Sequence, residues 1–305
     1  MVQISDSDIG KKVTIRLRDG SGFRDLVGHL VSTDSIRDRR DEVITFDPSE
    51  IHLWREIVDV ERTASSGAPL SIRIFELEKL TSSTWQAAEE VFVGGWLMRA
   101  DVGVTKRANS ALVLNTEDHI DELITWYGER NLNPIVSLIP DLHHELDKKL
   151  EARGFTHLLD MNVMVKDGQE LIKNCEFPLS DFPSDEWLAI HKDHKIKALL
   201  NRSPAKYLEV RDGGRLIGIG RVAFADDWAV LSRIWVSQDK RGRGYGKRIL
   251  EALESVAGAR KIALQVSKSN ELAVNLYELA GYKIHHTVRF RELSQQRDLF
   301  QGSQH

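Results

Sequence analysis

The chain has 305 residues, 41% of them hydrophobic and 29% charged, enough for two or three domains and typical of neither a disordered nor a membrane protein. The formal charge of −4 speaks against a chain whose main task is to coat nucleic acid, and no apolar run reaches the ~18 residues of a membrane helix. Residues 1–6 are too polar for a secretory signal, and a single cysteine, Cys175, leaves no internal disulfide and suits a reducing cytoplasm.

Residues 9–59 read as short strands. In residues 12–18, Val13, Ile15 and Leu17 fall on one face; further strands follow at 26–31, 42–46, 51–54 and 57–58, with turns at 19–22 and 47–48. Four or five short strands in so few residues predict a small SH3-like β-barrel over residues 1–62. Its 10 Lys and Arg against 13 acids leave no basic face, and Arg37, Arg39 and Arg40 read as a solvated cluster. Residues 63–69 are small, polar and stopped by Pro69, which makes them a linker.

Residues 70–167 mix strands and helices. A strand is expected at 71–75, and Ser83 is expected to cap a helix to about Val93. Strands follow at 110–114 and 134–139. Thr116 is the expected cap of a helix whose Ile120, Leu123, Ile124 and Tyr127 form an apolar stripe, and residues 141–153 read as a helix closed by Gly154.

Residues 168–293 follow a similar plan. A hairpin is expected over 206–210 and 216–222, then a long strand at 228–236, a helix from Gly244 to about Val256 and a strand at 261–266. Asn270 caps a helix that Gly281 ends, a last strand spans 282–292, and residues 294–305 read as a polar tail.

The stretch most informative about chemistry is where the strand ending Ile234-Trp235-Val236 enters a loop with Arg241, Gly242, Arg243, Gly244, Tyr245, Gly246 and Lys247. Glycines let a backbone approach a ligand and converge its N–H groups. The positive end of the following helix favours an anion, and Arg241, Arg243, Lys247 and Arg248 add positive charge. Such a site suits a pyrophosphate. It lacks the Gly-Lys-Ser/Thr of a P-loop and the Gly-x-Gly-x-x-Gly of a dinucleotide fold. A basic glycine loop capping an ordinary helix is the bland alternative.

The run Arg-x-x-Gly-x-Gly, Arg241 to Gly246, resembles the acyl-CoA pyrophosphate loop of GNAT acetyltransferases. Downstream, Asn270, Ala273, Tyr277, Gly281 and Tyr282 match the family's Asn-x-x-Ala-x-x-x-Tyr-x-x-x-Gly-Phe/Tyr helix. The resemblance covers about 115 residues. It implies a mixed α/β sheet, acetyl-CoA as cosubstrate, backbone N–H groups near Ile234, Trp235 and Val236 facing that cofactor, and Tyr277 as general acid toward the departing thiolate; Asn270 lies beside the pantetheine arm. A phenol of pKa near 10 is reasonably matched to a thiol. The acceptor implied is a primary amine, of a small molecule or a protein lysine. The competing reading is a non-catalytic module that senses acyl-CoA or docks a protein. Many relatives carry a Glu on the long strand; residues 228–236 contain no carboxylate, and Asp226, Asp227 and Glu209 are nearby without being assigned as base.

Aligning Gly154 with Gly281 sets an offset of 127 residues, which lays residues 141–155 over the Asn270 helix. At the same offset the loop position holds Leu114, Asn115, Thr116, Glu117, Asp118 and His119: two acids and no glycine. The middle region is therefore expected to be a second GNAT-like half without a cofactor site, tandem with the catalytic one. Residues 94–99 and 105–110 resemble segments of bacterial proteins that pair a small barrel with tandem GNAT halves and a histone-acetyltransferase-like C-terminal part. Trp96, Arg99, Arg107 and Asn109 could line the acceptor site or serve the fold. His143 and His144, His191 and His194, and His285 and His286 lack ligand spacing with carboxylate or Cys, so no metal site is expected.

Overall fold

The computed structural model describes residues 4–20, 22–38, 41–57, 69–101, 104–169, 175–190 and 195–294. The chain divides into two units, Met1–Arg62 and Thr63–His305. The expected linker (all but Pro69), Val58, Arg39, Arg40, His191, His194 and the tail beyond Ser294 lie outside the described residues.

In the first unit the strands are β1 (Lys12–Asp19), β2 (Gly22–Ser32), β3 (Ser35–Arg37), β4 (Val43–Thr45) and β5 (Ile51–Glu56), paired antiparallel in the order β4-β3-β2-β1-β5. The alternation in β1 does what period two requires: Val13, Ile15 and Leu17 are wholly buried, against Leu30, Ile36 and Phe46. Strands β4 and β5 remain the two edges, so among the described residues strand pairing forms an open sheet and closes no barrel.

The second unit opens with α1 (Ile74–Ser83), β6 (Glu89–Val93), β7 (Trp96–Ala100), β8 (Ala111–Val113), α2 (Ile120–Gly128), β9 (Ile135–Leu138), α3 (His144–Ala152) and β10 (Thr156–Lys166). It continues with β11 (Leu179–Ser180), α4 (Asp185–Ala189), α5 (Ile196–Leu200), β12 (Ala205–Asp212), β13 (Arg215–Ala225), β14 (Trp228–Val236), α6 (Tyr245–Ala257), β15 (Lys261–Ser267), α7 (Glu271–Leu279) and β16 (Lys283–Glu292).

The start of this unit corrects the sequence reading. No strand forms at 71–75: a helix starts at Ile74 and runs to Ser83, because Leu77, Leu80 and Thr81 bury one face at helical spacing. Ser83 ends that helix, its hydroxyl donating to the Leu80 carbonyl at 2.8 Å. The expected helix to Val93 is instead the hairpin β6–β7, turned by Gly94 and Gly95, both at positive φ (53° and 87°) as a two-residue turn requires. Thr116 is not a cap: α2 starts at Ile120, whose N–H donates to the Asp118 carboxylate at 3.2 Å.

All strands of the unit join one sheet, β11-β12-β13-β14-β15-β10-β16-β9-β8-β7-β6. Strand β10 lies between β15 and β16, while β16 pairs with β9. Strand β10 thus lies among strands that follow it in the chain, and the last strand, β16, reaches back to β9. The repeat is exact to the residue at that end: shifted by 127, His144–Ala152 lands on Glu271–Leu279 and the start of Thr156–Lys166 lands on the start of Lys283–Glu292. Helices α6 and α7 cover one face of the sheet, burying Ala229, Leu231, Ile262 and Leu264 with Ile249, Leu253 and Tyr277. On the opposite face Trp228, Val230 and Ala263 pack with Leu77 and Leu80 of α1.

Candidate active site

Strand β14 pairs with β13 along its length but follows β15 in parallel only from Trp228↔Lys261 to Leu231↔Leu264. Beyond that point β15 stays with β10, as far as Met161↔Ser267, and β14 leaves it. The cause of the divergence is local. Between the pairs Arg221↔Ser232 and Ile219↔Trp235 the strand β14 carries one residue more than β13, a bulge at Arg233, whose φ is 56°. The extra residue turns Ser232 and Arg233 to the α1 face and returns Ile234 and Val236 to the α6–α7 face, where they join the Tyr277 cluster. The Trp235 side chain faces the other way, into the cluster of Trp187, Tyr207 and Ile219. What Trp235 offers the α6 side is therefore backbone only.

After β14, the Ser237 N–H donates to the Ile217 carbonyl at 2.8 Å and the Arg241 side chain donates to the Val236 carbonyl at 3.1 Å, which folds the loop back on the strand. Gly242 and Gly244 adopt φ of 74° and 81°, and a Cβ at either would meet nothing within 4 Å. Gly244 is the N-cap of α6 and has no side chain to satisfy the first-turn N–H groups. Gly246 serves packing: an added Cβ would lie 3.5 Å from Leu276 of α7. Among the described residues no carboxylate comes within ion-pair range of Arg241 or Arg243. Lys247 sits 3.8 Å from Glu251, and Arg248 is engaged by Glu176. An open helix N-terminus flanked by two guanidinium groups with no carboxylate in range among the described residues favours an anion.

Helix α7 is capped by Asn270, whose side-chain oxygen accepts from the Ala273 N–H at 3.3 Å. Tyr277 is buried about two turns further on, its ring 5.8 Å from that of Tyr282 and in the apolar cluster that also holds Leu231, Leu264, Ile234 and Tyr245. Its hydroxyl has no hydrogen-bond partner among the described residues, and burial pushes the phenol up to about 12. The acids weighed as bases are engaged locally: Asp227 with Lys261 at 3.0 Å, and Glu209 with Arg211 at 2.8 Å and with the Ser184 hydroxyl; Asp226 sits in the β13–β14 turn.

On the α1 face, where β14 and β15 part, lies a cavity of about 280 Å³. The diverging strand ends supply Ser232, Arg233 and Gln265; the middle region supplies Trp85, Thr105, Lys106, Arg107, Leu159 and Met161. Of the four middle-region residues singled out by sequence, only Arg107 reaches it. Trp96 is core, its indole donating to the Glu117 carbonyl; Arg99 is buried on Ser82 and Ser110; Asn109 bonds the backbone of Asp101 and Thr105. Beside the cavity, Gln265 donates to buried Glu78 at 3.4 Å, and Glu78 is 3.0 Å from His286. Burial alone would raise the Glu78 carboxyl, but His286 and the Arg107 and Arg99 guanidinium groups bring it below the usual range. Sequence reasoning missed Glu78 because it fell between the strand expected at 71–75 and the helix expected from Ser83, and nothing in the sequence marks the bulge at Arg233. Among the described residues no cluster of His, Cys, Asp and Glu could hold a metal.

A mixed sheet whose two parallel strands part beside a glycine loop that opens a helix is the arrangement of a GNAT acyltransferase. Residues 71–291 match the family model described as "Probable histone acetyltransferase Rv0428c C-terminal". The chain belongs to that family and is an N-acetyltransferase. It is 26% identical over 306 residues to the protein named "Probable histone acetyltransferase Rv0428c" of Mycobacterium tuberculosis (strain ATCC 25618 / H37Rv), covering 94% of this chain and 96% of that one. It is 28% identical over 232 residues to "Uncharacterized N-acetyltransferase YobR" of Bacillus subtilis (strain 168), covering 68% and 94%. Among solved structures, a GCN5-related N-acetyltransferase from Kribbella flavida superposes with a TM-score of 0.55 at 11% identity, covering 73% of this chain and 96% of that one. A functionally unknown conserved protein from Staphylococcus epidermidis ATCC 12228 does so at 0.56 and 12%, covering 74% and 98%. These likenesses show the fold.

Proposed function

We propose that the chain moves an acetyl group from acetyl-CoA to a primary amine by direct attack within a ternary complex. The observation that carries this reading is the gap between β14 and β15, with the basic glycine loop and Tyr277 on one face of the sheet and a side-chain-lined cavity on the other. Acetyl-CoA approaches from the α6 side, its pyrophosphate at Arg241 to Gly246 and its thioester in the gap; the amine approaches from the cavity. The amine nitrogen, stripped of its extra proton, bonds to the thioester carbon. Backbone N–H groups of the unpaired stretch near Ile234 and Val236 stabilise the oxyanion. Its collapse breaks the C–S bond, Tyr277 gives its proton to the thiolate, and the proton lost by the amine restores the phenol.

In this reading residues 168–293 are the catalytic half and residues 70–167 a half without a cofactor site. At the position equivalent to the glycine loop, Glu117 lies 3.3 Å from His119 and Asp118 binds Lys149 at 2.9 Å, so the acids are held in local pairs where a pyrophosphate would need cations. Residues 1–62 are read as an SH3-like module that takes no part in CoA binding, and the compartment as a reducing cytoplasm. Calorimetry with acetyl-CoA should give one site per chain. Gly244→Glu, which puts a carboxylate at the helix N-terminus, should abolish it while the fold persists. Two sites per chain, or binding that survives Gly244→Glu, would defeat the proposal.

A further inference from the structure

The cavity at the parted strands is cationic. Lys106, Arg107 and Arg233 line it, no carboxylate among the described residues does, and Trp85, Leu159, Met161 and Phe290 supply apolar walls. Arg107 is the informative member. Its guanidinium makes no hydrogen bond and no ion pair within range among the described residues, although it sits deep enough for burial to pull its pKa down to about 10. It is also crowded by like charge, since Arg99 and Arg221 act on it in the same direction and Glu78 alone opposes them. Arg233 is likewise brought down to about 10 by burial and by Arg221. Arg107, a cation with no counter-ion in range among the described residues, is costly to hold there unless a ligand supplies the anion.

The cations are held in place. Arg107 begins a 3-10 turn, Arg107–Asn109, pinned by the Ala108 N–H donating to the Thr105 hydroxyl at 3.2 Å and by the Asn109 amide donating to the Thr105 carbonyl at 2.8 Å. The Trp85 indole donates to that same hydroxyl at 3.2 Å, and its ring lies 5.0 Å under the Arg233 guanidinium. Arg233 itself is turned to this face by the bulge. Of the carboxylates nearby among the described residues, Glu292 pairs with Lys106 at 3.2 Å and Glu78 is occupied by His286 and Gln265.

Resting on the acetyl-transfer reading above, we infer that the acceptor is a small primary amine with an apolar body and a carboxylate or phosphate group that Arg107 receives. The cavity volume suits a small molecule. A basic peptide tail would bring further positive charge against the same cations. The field that attracts the anion also disfavours the ammonium form of the amine, so it favours the neutral nucleophile at a strand that carries no carboxylate.

The test uses the full chain, acetyl-CoA and amines paired on one skeleton: benzylamine with 4-(aminomethyl)benzoate, ethylamine with 2-aminoethyl phosphate, and a basic lysine peptide, read by thiol release. At least one anion-bearing member should exceed its neutral partner by tenfold or more in kcat/KM. Arg107→Gln should raise KM for that amine on the order of 10–100-fold with a smaller change in kcat and none in acetyl-CoA affinity, and Arg107→Lys should keep part of the preference. Circular dichroism and melting would confirm that each variant is folded. Equal or better acetylation of the neutral amine or the lysine peptide would overturn the inference. So would intact acetyl-CoA binding with no turnover of any anion-bearing amine, or a preference that survives Arg107→Gln. Failure of the wild-type chain to bind acetyl-CoA would defeat the acetyl-transfer reading itself, a separate outcome.

Discussion

Replacing Tyr277 with Phe removes one oxygen and little else. The ring stays in its apolar cluster against Tyr282, and the lost hydroxyl breaks no hydrogen bond among the described residues. The effect on stability should therefore stay within about 1 kcal/mol, and acetyl-CoA affinity should be nearly unchanged. Turnover should fall on the order of 10²–10⁴-fold, or about 3–5 kcal/mol of transition-state stabilisation. The pH profile carries more information. An ordinary phenol would lose its proton near pH 10, but burial pushes Tyr277 up to about 12, so the wild-type rate should show no falling limb from this group before that range. Because the folded pKa is raised, the same group favours the folded state below pH 10 and that contribution is lost as pH rises toward about 12. Thiol release with any amine that turns over, from pH 6 to 11, measures both. Unchanged turnover of the Phe variant with chemistry rate-limiting would remove Tyr277 from the mechanism. A wild-type limb near pH 10 that vanishes in the variant would keep its role and refute the argument from burial.

Two further perturbations test the architecture. Asp147 on α3 accepts from Arg291 at 2.5 Å and from Arg289 at 2.9 Å, both on β16, so it ties that strand to the middle half. Asp147→Asn should destabilise the unit by about 2–4 kcal/mol in urea melts at pH 7, since it leaves buried Arg291 short of its counter-ion. Burial opposes its ionisation but the two guanidinium groups win and hold its carboxyl below the usual range. Its contribution is thus present above the ordinary carboxylate value and lost as pH falls through the lowered one, so the gap between wild type and variant should close below about pH 4. A chain beginning at Pro69 should fold and keep acetyl-CoA affinity within a few-fold by calorimetry; a folded product without affinity would mean that the first unit takes part in binding.

The sequence by itself determined the features that a few neighbouring residues encode. Two glycines at positive φ, the basic residues around them and the Asn270 cap are local properties, and the loop, α6 and α7 stand where the spacing put them. Strands β12 to β16 were legible for the same reason, as was the 127-residue repeat in α3 and α7. The start of the second unit was not: apolar Ile72 and Ile74 mimic a strand until packing of Leu77 and Leu80 on the sheet selects the helix. Only the tertiary structure decided the placing of β10 and β16, the bulge that turns Arg233, and the meeting of Arg107 with Gln265 and of Glu78 with His286. The strand placing and the two side-chain meetings depend on residues more than a hundred positions apart, whose proximity is set by sheet order, and the bulge depends on how β14 pairs with β13. No local propensity or short-range spacing carries that information, because it is the burial of both faces of one sheet that selects the order.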